Sequence, residues 1–217
     1  MKRPFDPSLY LILDLALVGP GPVDRLVTSA MAGGVTLVQL RGKAVPTREL
    51  CELGTRIKTL LAPHRVPLIV NDDVAAALAI EADGVHLGQD DLPPAAARRI
   101  LGEDAVIGLS IGSPAEAVGV DGAILDYVSI GPIHRTSTKS DAGPAIGIEG
   151  FDRVRRLFPD LPAVAIGGIT PDNAADIIRA GAAGLAVASA LCYAVEPALA
   201  ARAFRSRIAI AARPRVS

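Results

Sequence analysis

"PLIVNDDVAAALAIEADGVHLGQDD", residues 67–91, sets two short apolar runs on either side of an alanine-rich segment. Pro67–Asp72 and Gly84–Gly88 are rich in Val, Ile and Leu, as strands buried on both faces should be. Between them, Asp73–Glu81 reads as a helix, with Asp73 placed to cap it. Two strands joined through a helix lie parallel. The sheet that contains this unit is therefore parallel and covered by helices.

The same unit repeats in both directions along the chain. The other apolar runs are Leu9–Asp14, Thr36–Arg41, Val106–Ser110, Tyr127–Pro132, Ala163–Gly168 and Gly184–Ser189. Helix-like segments separate them: Pro22–Met31, Thr47–Leu61, Pro93–Leu101, Pro114–Val120, Ile148–Leu157, Pro171–Ala180 and finally Ala194–Ala211. Leu50, Leu53, Ile57 and Leu60 mark one apolar stripe at helical spacing. Pro93, Pro114 and Pro171 stand in first turns, where a missing N–H costs nothing. Gly33-Gly34 and Gly181 close helices as left-handed caps would. Eight such units in 217 residues is the count for a closed barrel. An open doubly wound sheet would leave edge strands, usually shorter or more polar, and none of the eight runs looks like one. The expected architecture is α/β, a single-domain (β/α)8 TIM barrel over residues 1–217.

Composition narrows the function. Half of the residues are apolar and the formal net charge is −1, which gives no general attraction for nucleic acid or anionic membranes. Aromatics make up 3% and Trp is absent, so a base-stacking platform is not expected. No apolar run approaches the roughly 20 residues a membrane helix needs. Lys2 and Arg3 before Leu9–Leu13 faintly resemble a signal peptide, but Pro4, Pro7 and Asp14 break the pattern. Cys51 and Cys192 are far apart and form no C-x-x-C pair, which suits a reducing compartment. A cytoplasmic protein acting on small molecules is expected, and a homo-oligomer is compatible with the sequence.

Barrel enzymes do their chemistry at the C-terminal ends of the strands, and polar residues gather there. Gln39 and Arg41 fall on one face of strand 2, with Val38 and Leu40 on the other; Lys43 follows. A guanidinium fork with a nearby ammonium suits phosphate oxygens. The plainer reading of Arg41 is a surface ion pair with Glu49 or Glu52. Asn71, Asp72 and Asp73 follow strand 3, and Gln89, Asp90 and Asp91 follow strand 4. Two carboxylates at adjacent strand ends can share Mg²⁺, which keeps waters and accepts substrate phosphates; helix capping is the plainer role for Asp73 and Asp90. Gly108-Leu109-Ser110-Ile111-Gly112 matches the G-x-S-x-G nucleophile elbow. That elbow needs a later His, and the only one is His134, inside a Thr/Lys loop, so Ser110 is kept as a hydroxyl at the mouth. The loop itself, Thr136-Ser137-Thr138-Lys139-Ser140, is rich in hydroxyls and holds one of only four lysines. Gly167-Gly168 after strand 7, with Ala188-Ser189-Ala190 after strand 8, form the usual phosphate cup of these barrels. Two anion sites, one with carboxylates and cations and one of amides and hydroxyls, fit a protein that joins two phosphorylated substrates.

VQLRGK (38–43), IVNDDVAAALAIEADGVHLGQDDL (69–92), IGLS (107–110), DYVSIGPIHRTSTKSDAGPAIG (126–147) and AIGGITPDNAADIIRAGAAGLAVASAL (165–191) together resemble the thiamine-phosphate synthase family, from Leu9 to about Leu191. The T-x-T-K-x-D-A-G segment, joined to N-D and G-V-H-L-G-Q-x-D, is the most specific part. The resemblance implies a (β/α)8 barrel that couples hydroxymethylpyrimidine diphosphate to a thiazole phosphate, releasing pyrophosphate with Mg²⁺. It implies that Gln39, Arg41, Lys43, Asn71, Ser110 and Lys139 contact the pyrimidine diphosphate, with Arg41, Ser110 and Lys139 closest to the chemistry. It further implies Asp72 and Asp91 as Mg²⁺ ligands. Thr136, Ser137, Thr138, Gly168, Ala188 and Ser189 would hold the thiazole phosphate. The chain departs from the family pattern at Gly42, where an acidic residue is usual, at Gly112-Ser113, where His-Thr is usual, at His134-Arg135, where aromatic-Pro is usual, and at Ala188, where Val is common.

Three other readings stand beside this one. A thiazole tautomerase of the same superfamily would lack the full Lys139, Asp72 and Asp91 set. A non-catalytic regulator on the barrel would bind phosphate without turnover. A sugar-phosphate isomerase would need a strand-borne Glu or His base; His86 is the one candidate and reads as a packed side chain of strand 4.

Overall fold

Short runs of aliphatic residues leave no polar face for water, so they become strands with both faces covered. The computed structural model describes residues 5–19, 23–136 and 143–212. In it, β1 (Leu9–Asp14), β2 (Leu37–Arg41), β3 (Leu68–Asn71), β4 (Gly84–Leu87), β5 (Val106–Ile111), β6 (Tyr127–Ile130), β7 (Ala163–Ile166) and β8 (Gly184–Val187) pair in chain order. All pairs are parallel, and β8 returns to β1 to close the barrel. The expected (β/α)8 architecture is the observed one.

The helices are α1 (Leu15–Val18), α2 (Val23–Ala32), α3 (Thr47–Leu61), α4 (Val74–Ile80), α5 (Pro94–Leu101), α6 (Gly147–Arg155), α7 (Pro171–Arg179), α8 (Ser189–Cys192) and α9 (Pro197–Ala211). Outward strand residues such as Leu11, Val38, Val70 and Val128 pack with Leu50, Ile57, Phe151 and Phe204 of the helices in one large core. Inward residues form a second, smaller cluster inside the barrel, with Tyr10, Ile12, Leu37, Ile69, Val106, Tyr127, Val164 and Ala186. Gly34 and Gly181 adopt φ of 102° and 98° after their helices, as left-handed closures require; Gly33 does not.

Two segments differ from the sequence reading. Pro114–Val120 is a series of turns with i to i−3 bonds, such as Ala117 N–H to Pro114 O at 3.3 Å. Glu116 folds back onto the end of β5, accepting from the Gly112 N–H at 2.8 Å, and Gly119 takes φ of 78°. Seven residues so anchored cannot bury a helical face. The last helix starts at Pro197 rather than Ala194, because the chain first makes the separate turn α8 and leaves Val195 91% exposed.

Candidate active site

Alternation along each strand decides which side chains enter the barrel. On β1 the inward positions are Tyr10, Ile12 and Asp14, and on β2 they are Leu37, Gln39 and Arg41, matched pair by pair in the register. At the C-terminal ends of the strands a cavity of about 680 Å³ opens. Every sequence-predicted site residue that the structure describes lines it. Gln39, Arg41 and Lys43 come from β2 and its loop, and Asn71 and Asp72 from β3. Asp91 follows β4, Ser110 ends β5, and Thr136 follows β6. Gly168, Ala188 and Ser189 complete the opposite wall. Ser137, Thr138 and Lys139 lie outside the described residues.

Arg41 meets neither Glu49 nor Glu52. Its guanidinium donates to Asp14, the register partner one strand away, and Asp14 is 2% exposed. Asp14 also accepts from the Ala16 N–H at 3.0 Å, capping α1. The pair holds the fork at the cavity wall, facing any ligand that enters. From sequence, Asp14 is only an interruption in an apolar run; its inward parity was the available signal.

Asp72 sits just past β3 with φ of 62°, in the left-handed region that side chains rarely occupy. Its carboxyl reaches hydrogen-bonding range of Asp91, and Lys43 Nζ lies 3.8 Å from Asp72 Oδ2. Burial, together with the Asp91 carboxyl, pushes Asp72 up to about 6, against the pull of Lys43 and Arg41. Two carboxyls held this close repel once both ionise, and a divalent cation between them removes that repulsion. Asp91 Oδ2 is itself held by the Gly88 N–H at 2.6 Å. Among the described residues no group of three or more His, Cys, Asp or Glu converges. A two-carboxylate set open to ligand oxygens suits Mg²⁺, which keeps water and takes phosphate oxygens, better than a cation that demands an all-protein cage. Asp73 takes the plainer role: its carboxylate caps α4 by accepting from the Ala76 N–H at 2.8 Å.

On the opposite wall, Gly167 and Gly168 adopt φ of 94° and 62°. A Cβ on Gly167 would meet Pro132 at 2.5 Å, and one on Gly168 would meet His134 at 2.6 Å. The two loops pass that closely because they carry on the pairing of β6 with β7. Ile133 N–H donates to Ile166 O at 2.9 Å, and His134 N–H to Gly167 O at 3.1 Å. Thr170 and Asn173 then close a capping box that starts α7.

Sequence reasoning missed two further groups. Ser110 does have a histidine, from upstream: His86 Nε2 lies 2.9 Å from Ser110 Oγ. His86 is buried as expected, at 5% exposure, but it lines the cavity floor. Ser129, the register neighbour of Ser110 on β6, is 2% exposed, lines the same cavity, and its Oγ has no partner. Both follow from inward parity.

Comparison with known proteins fits this geometry. The family model described as thiamine monophosphate synthase matches residues 9–191. The chain is 50% identical over 208 residues to a thiamine-phosphate synthase of Azorhizobium caulinodans, covering 96% of this chain and 98% of that one. It is 47% identical to a thiamine-phosphate synthase of Moorella thermoacetica, covering 91% and 94%. Among solved structures, the thiamine phosphate pyrophosphorylase of Pyrococcus furiosus superposes with a TM-score of 0.86 at 35% identity, covering 96% of this chain and 98% of that one.

Proposed function

Since the chain belongs to the thiamine monophosphate synthase family, we propose the way its cavity carries out that family's condensation. The enzyme is a transferase that makes thiamine phosphate. Its substrates are 4-amino-5-hydroxymethyl-2-methylpyrimidine diphosphate and a hydroxyethylthiazole phosphate or its carboxylated form; pyrophosphate is the second product, and the carboxylated form also loses its carboxyl group as carbon dioxide. The observation that carries this reading is the carboxyl pair Asp72 and Asp91 beside Lys43 and Arg41, facing the Gly167-Gly168 turn across one cavity.

Arg41, Lys43 and Lys139 hold the diphosphate, and Gln39, Asn71 and Ser110 orient the pyrimidine. Gly168, Ala188 and Ser189, at the far wall, hold the thiazole phosphate together with Thr136, Ser137 and Thr138. Asp72 and Asp91 would hold Mg²⁺, which neutralises charge on the departing pyrophosphate when bound. The methylene C–O bond breaks and its electron pair leaves with pyrophosphate. The aminopyrimidine ring delocalises the resulting positive charge, and the thiazole nitrogen supplies the electron pair of the new C–N bond. The C–N bond formation needs no protein nucleophile and no general base. Positioning of the two rings and electrostatics at the leaving group therefore carry the rate. We place the reaction in the cytoplasm; among the described residues no helix is long and apolar enough to cross a membrane.

Mixing both substrates tests the reading. Pyrophosphate release should require Mg²⁺ and both partners, and Asp91→Ala should lose most of it. Release without the thiazole phosphate would identify a hydrolase and sink the proposal.

A further inference from the structure

We infer that a buried chain of hydrogen bonds, Gln39–Tyr10–Tyr127–His86–Ser110, sets the Ser110 hydroxyl as a donor into the cavity. Five groups from five strands take part. Gln39 Nε2 donates to the Tyr10 hydroxyl at 2.8 Å. The Tyr10 and Tyr127 hydroxyls lie 2.9 Å apart, and the Tyr127 hydroxyl lies 2.8 Å from His86 Nδ1. His86 Nε2 lies 2.9 Å from Ser110 Oγ.

The chain has a direction because of what stands at its start. An amide nitrogen can only donate. The buried Tyr10 hydroxyl, accepting from Gln39, still has its own proton to place, and the Tyr127 hydroxyl is its other recorded partner. Tyr10 therefore donates to Tyr127, and Tyr127 to His86 Nδ1. With Nδ1 an acceptor, the neutral imidazole carries its proton on Nε2 and gives it to Ser110 Oγ. Ser110 is left with its own proton free for an acceptor in the cavity. Burial pushes both phenols up, so each keeps the single proton this relay requires.

The packing makes the chain stiff. Gly108 lies between His86 and Tyr127 in the register of β4, β5 and β6. A Cβ there would come within 2.1 Å of the Tyr127 ring. Its absence lets His86 and Tyr127 stack across β5, with centroids 5.4 Å apart and planes 21° apart. Phe5 and Tyr10 meet Tyr127 at 5.7 and 6.0 Å. Tyr10, Tyr127 and His86 are thus positioning residues, and Ser110 is the group that touches the ligand.

The reverse direction would be different chemistry. An amide oxygen at the start would turn every bond around, and His86 Nε2 would take the Ser110 proton. That is the serine–histidine pair of a hydrolase, with Ser110 an acceptor and nucleophile. The inferred direction makes Ser110 select an unprotonated nitrogen or an oxygen of the ligand. The identity of that acceptor as part of the pyrimidine diphosphate rests on the proposed function; the proton direction does not.

The test is the His86 tautomer in the unliganded protein, read by long-range ¹H–¹⁵N correlation with labelled histidine. Only three histidines are present, and His86→Gln assigns the signal. The expected result is a bare Nδ1 and a protonated Nε2; a protonated Nδ1 would overturn the proposal. Kinetics supply the second arm. His86→Gln keeps an N–H near the Nε2 position and should hold the KM for the pyrimidine diphosphate within about threefold. His86→Leu removes the donor and should raise that KM about tenfold, the size of one hydrogen bond. Equal losses in both variants would show a packing role only and would also overturn it. A parent protein with the expected tautomer but no turnover would refute the proposed function and leave the proton direction standing.

Discussion

Arg41→Met separates what the Arg41–Asp14 pair does for the fold from what it does for the ligand. The substitution keeps a flexible apolar stem and removes the charge. Asp14, 2% exposed, then holds a carboxylate in the barrel mouth without its cation. Breaking a buried pair in this way costs about 3–5 kcal/mol. For a chain of this size that corresponds to a fall in Tm of about 10 °C. The Ala16 N–H remains on Asp14 at 3.0 Å, so the lower half of the range is the better expectation. Adding Asp14→Asn removes the stranded charge while its side-chain oxygen still accepts from Ala16. The compound variant should recover most of the lost stability, since replacing both members of a buried pair is often near neutral.

The kinetics should not recover. A charged hydrogen bond to the diphosphate contributes about 1.5–3 kcal/mol, or roughly 10- to 100-fold in KM. That loss should be the same in Arg41→Met and in the compound variant. Urea unfolding followed by circular dichroism gives the first quantity, and steady-state pyrophosphate release gives the second. An Arg41→Met protein as stable as its parent would show that the pair does not constrain the barrel mouth. A compound variant with the parent KM would show that Arg41 does not meet the diphosphate. Either result refutes the corresponding half of the reasoning.

Three further outcomes follow from the same geometry. Asp72 titrates near 6 rather than near 3.8, so the folded metal-free protein binds this proton more tightly than the unfolded chain does. Its contribution to stability is full below about pH 4 and is lost as pH rises toward 6; Asp72→Asn should flatten that part of the urea-midpoint profile, and parallel profiles would contradict it. Ser129→Ala removes a buried hydroxyl with no partner, so Tm should hold or rise by a few degrees while ligand binding by calorimetry weakens; a clear loss of Tm would point to a partner inside the protein. Gly168→Ala places a Cβ 2.6 Å from His134 at φ of 62°, costing about 1–2 kcal/mol for the left-handed backbone alone; the KM for the thiazole phosphate should rise more than that for the pyrimidine diphosphate, and a KM for the thiazole phosphate equal to the parent's would argue against this turn as its cup.

The eight strands were legible because each carries its signal within itself. LYLIL and LIV are apolar up to the polar residue that ends each strand, Asp14 and Asn71, and burial on both faces demands that. The turn segment Pro114–Val120 was not, because its shape depends on Glu116 reaching back to Gly112 at 2.8 Å, a contact no helical periodicity reports. The Ser110–His86 pair failed to show for a different reason. The elbow motif looks along the chain for its histidine, whereas a parallel barrel brings partners together across strands. His86 and Ser110 are 24 residues apart and lie on neighbouring strands. Asp14 and Arg41 are 27 apart and directly paired.

Alternation within the strands reports what a motif read along the chain does not. Once the barrel is accepted, alternation assigns every strand residue to the inside or the outside. Along GVHL, Val85 and Leu87 face the helices, which leaves Gly84 and His86 inward. Along VIGLSI, Ile107, Leu109 and Ile111 belong to the outer core, which leaves Val106, Gly108 and Ser110 inward. Tyr10, Asp14, Gln39, Arg41, Asn71, Tyr127 and Ser129 share that inward parity. An aliphatic layer outside and polar groups inside cannot arise from the demands of packing alone, since burial of unpaired polar groups is costly. The interior polar groups satisfy one another, as in the Gln39–Ser110 relay and the Arg41–Asp14 pair, or wait for a ligand, as Ser129 does and as the Ser110 proton does in the inferred direction. The parity of polar residues within the strands, more than any motif in the loops, therefore marks the floor of the site.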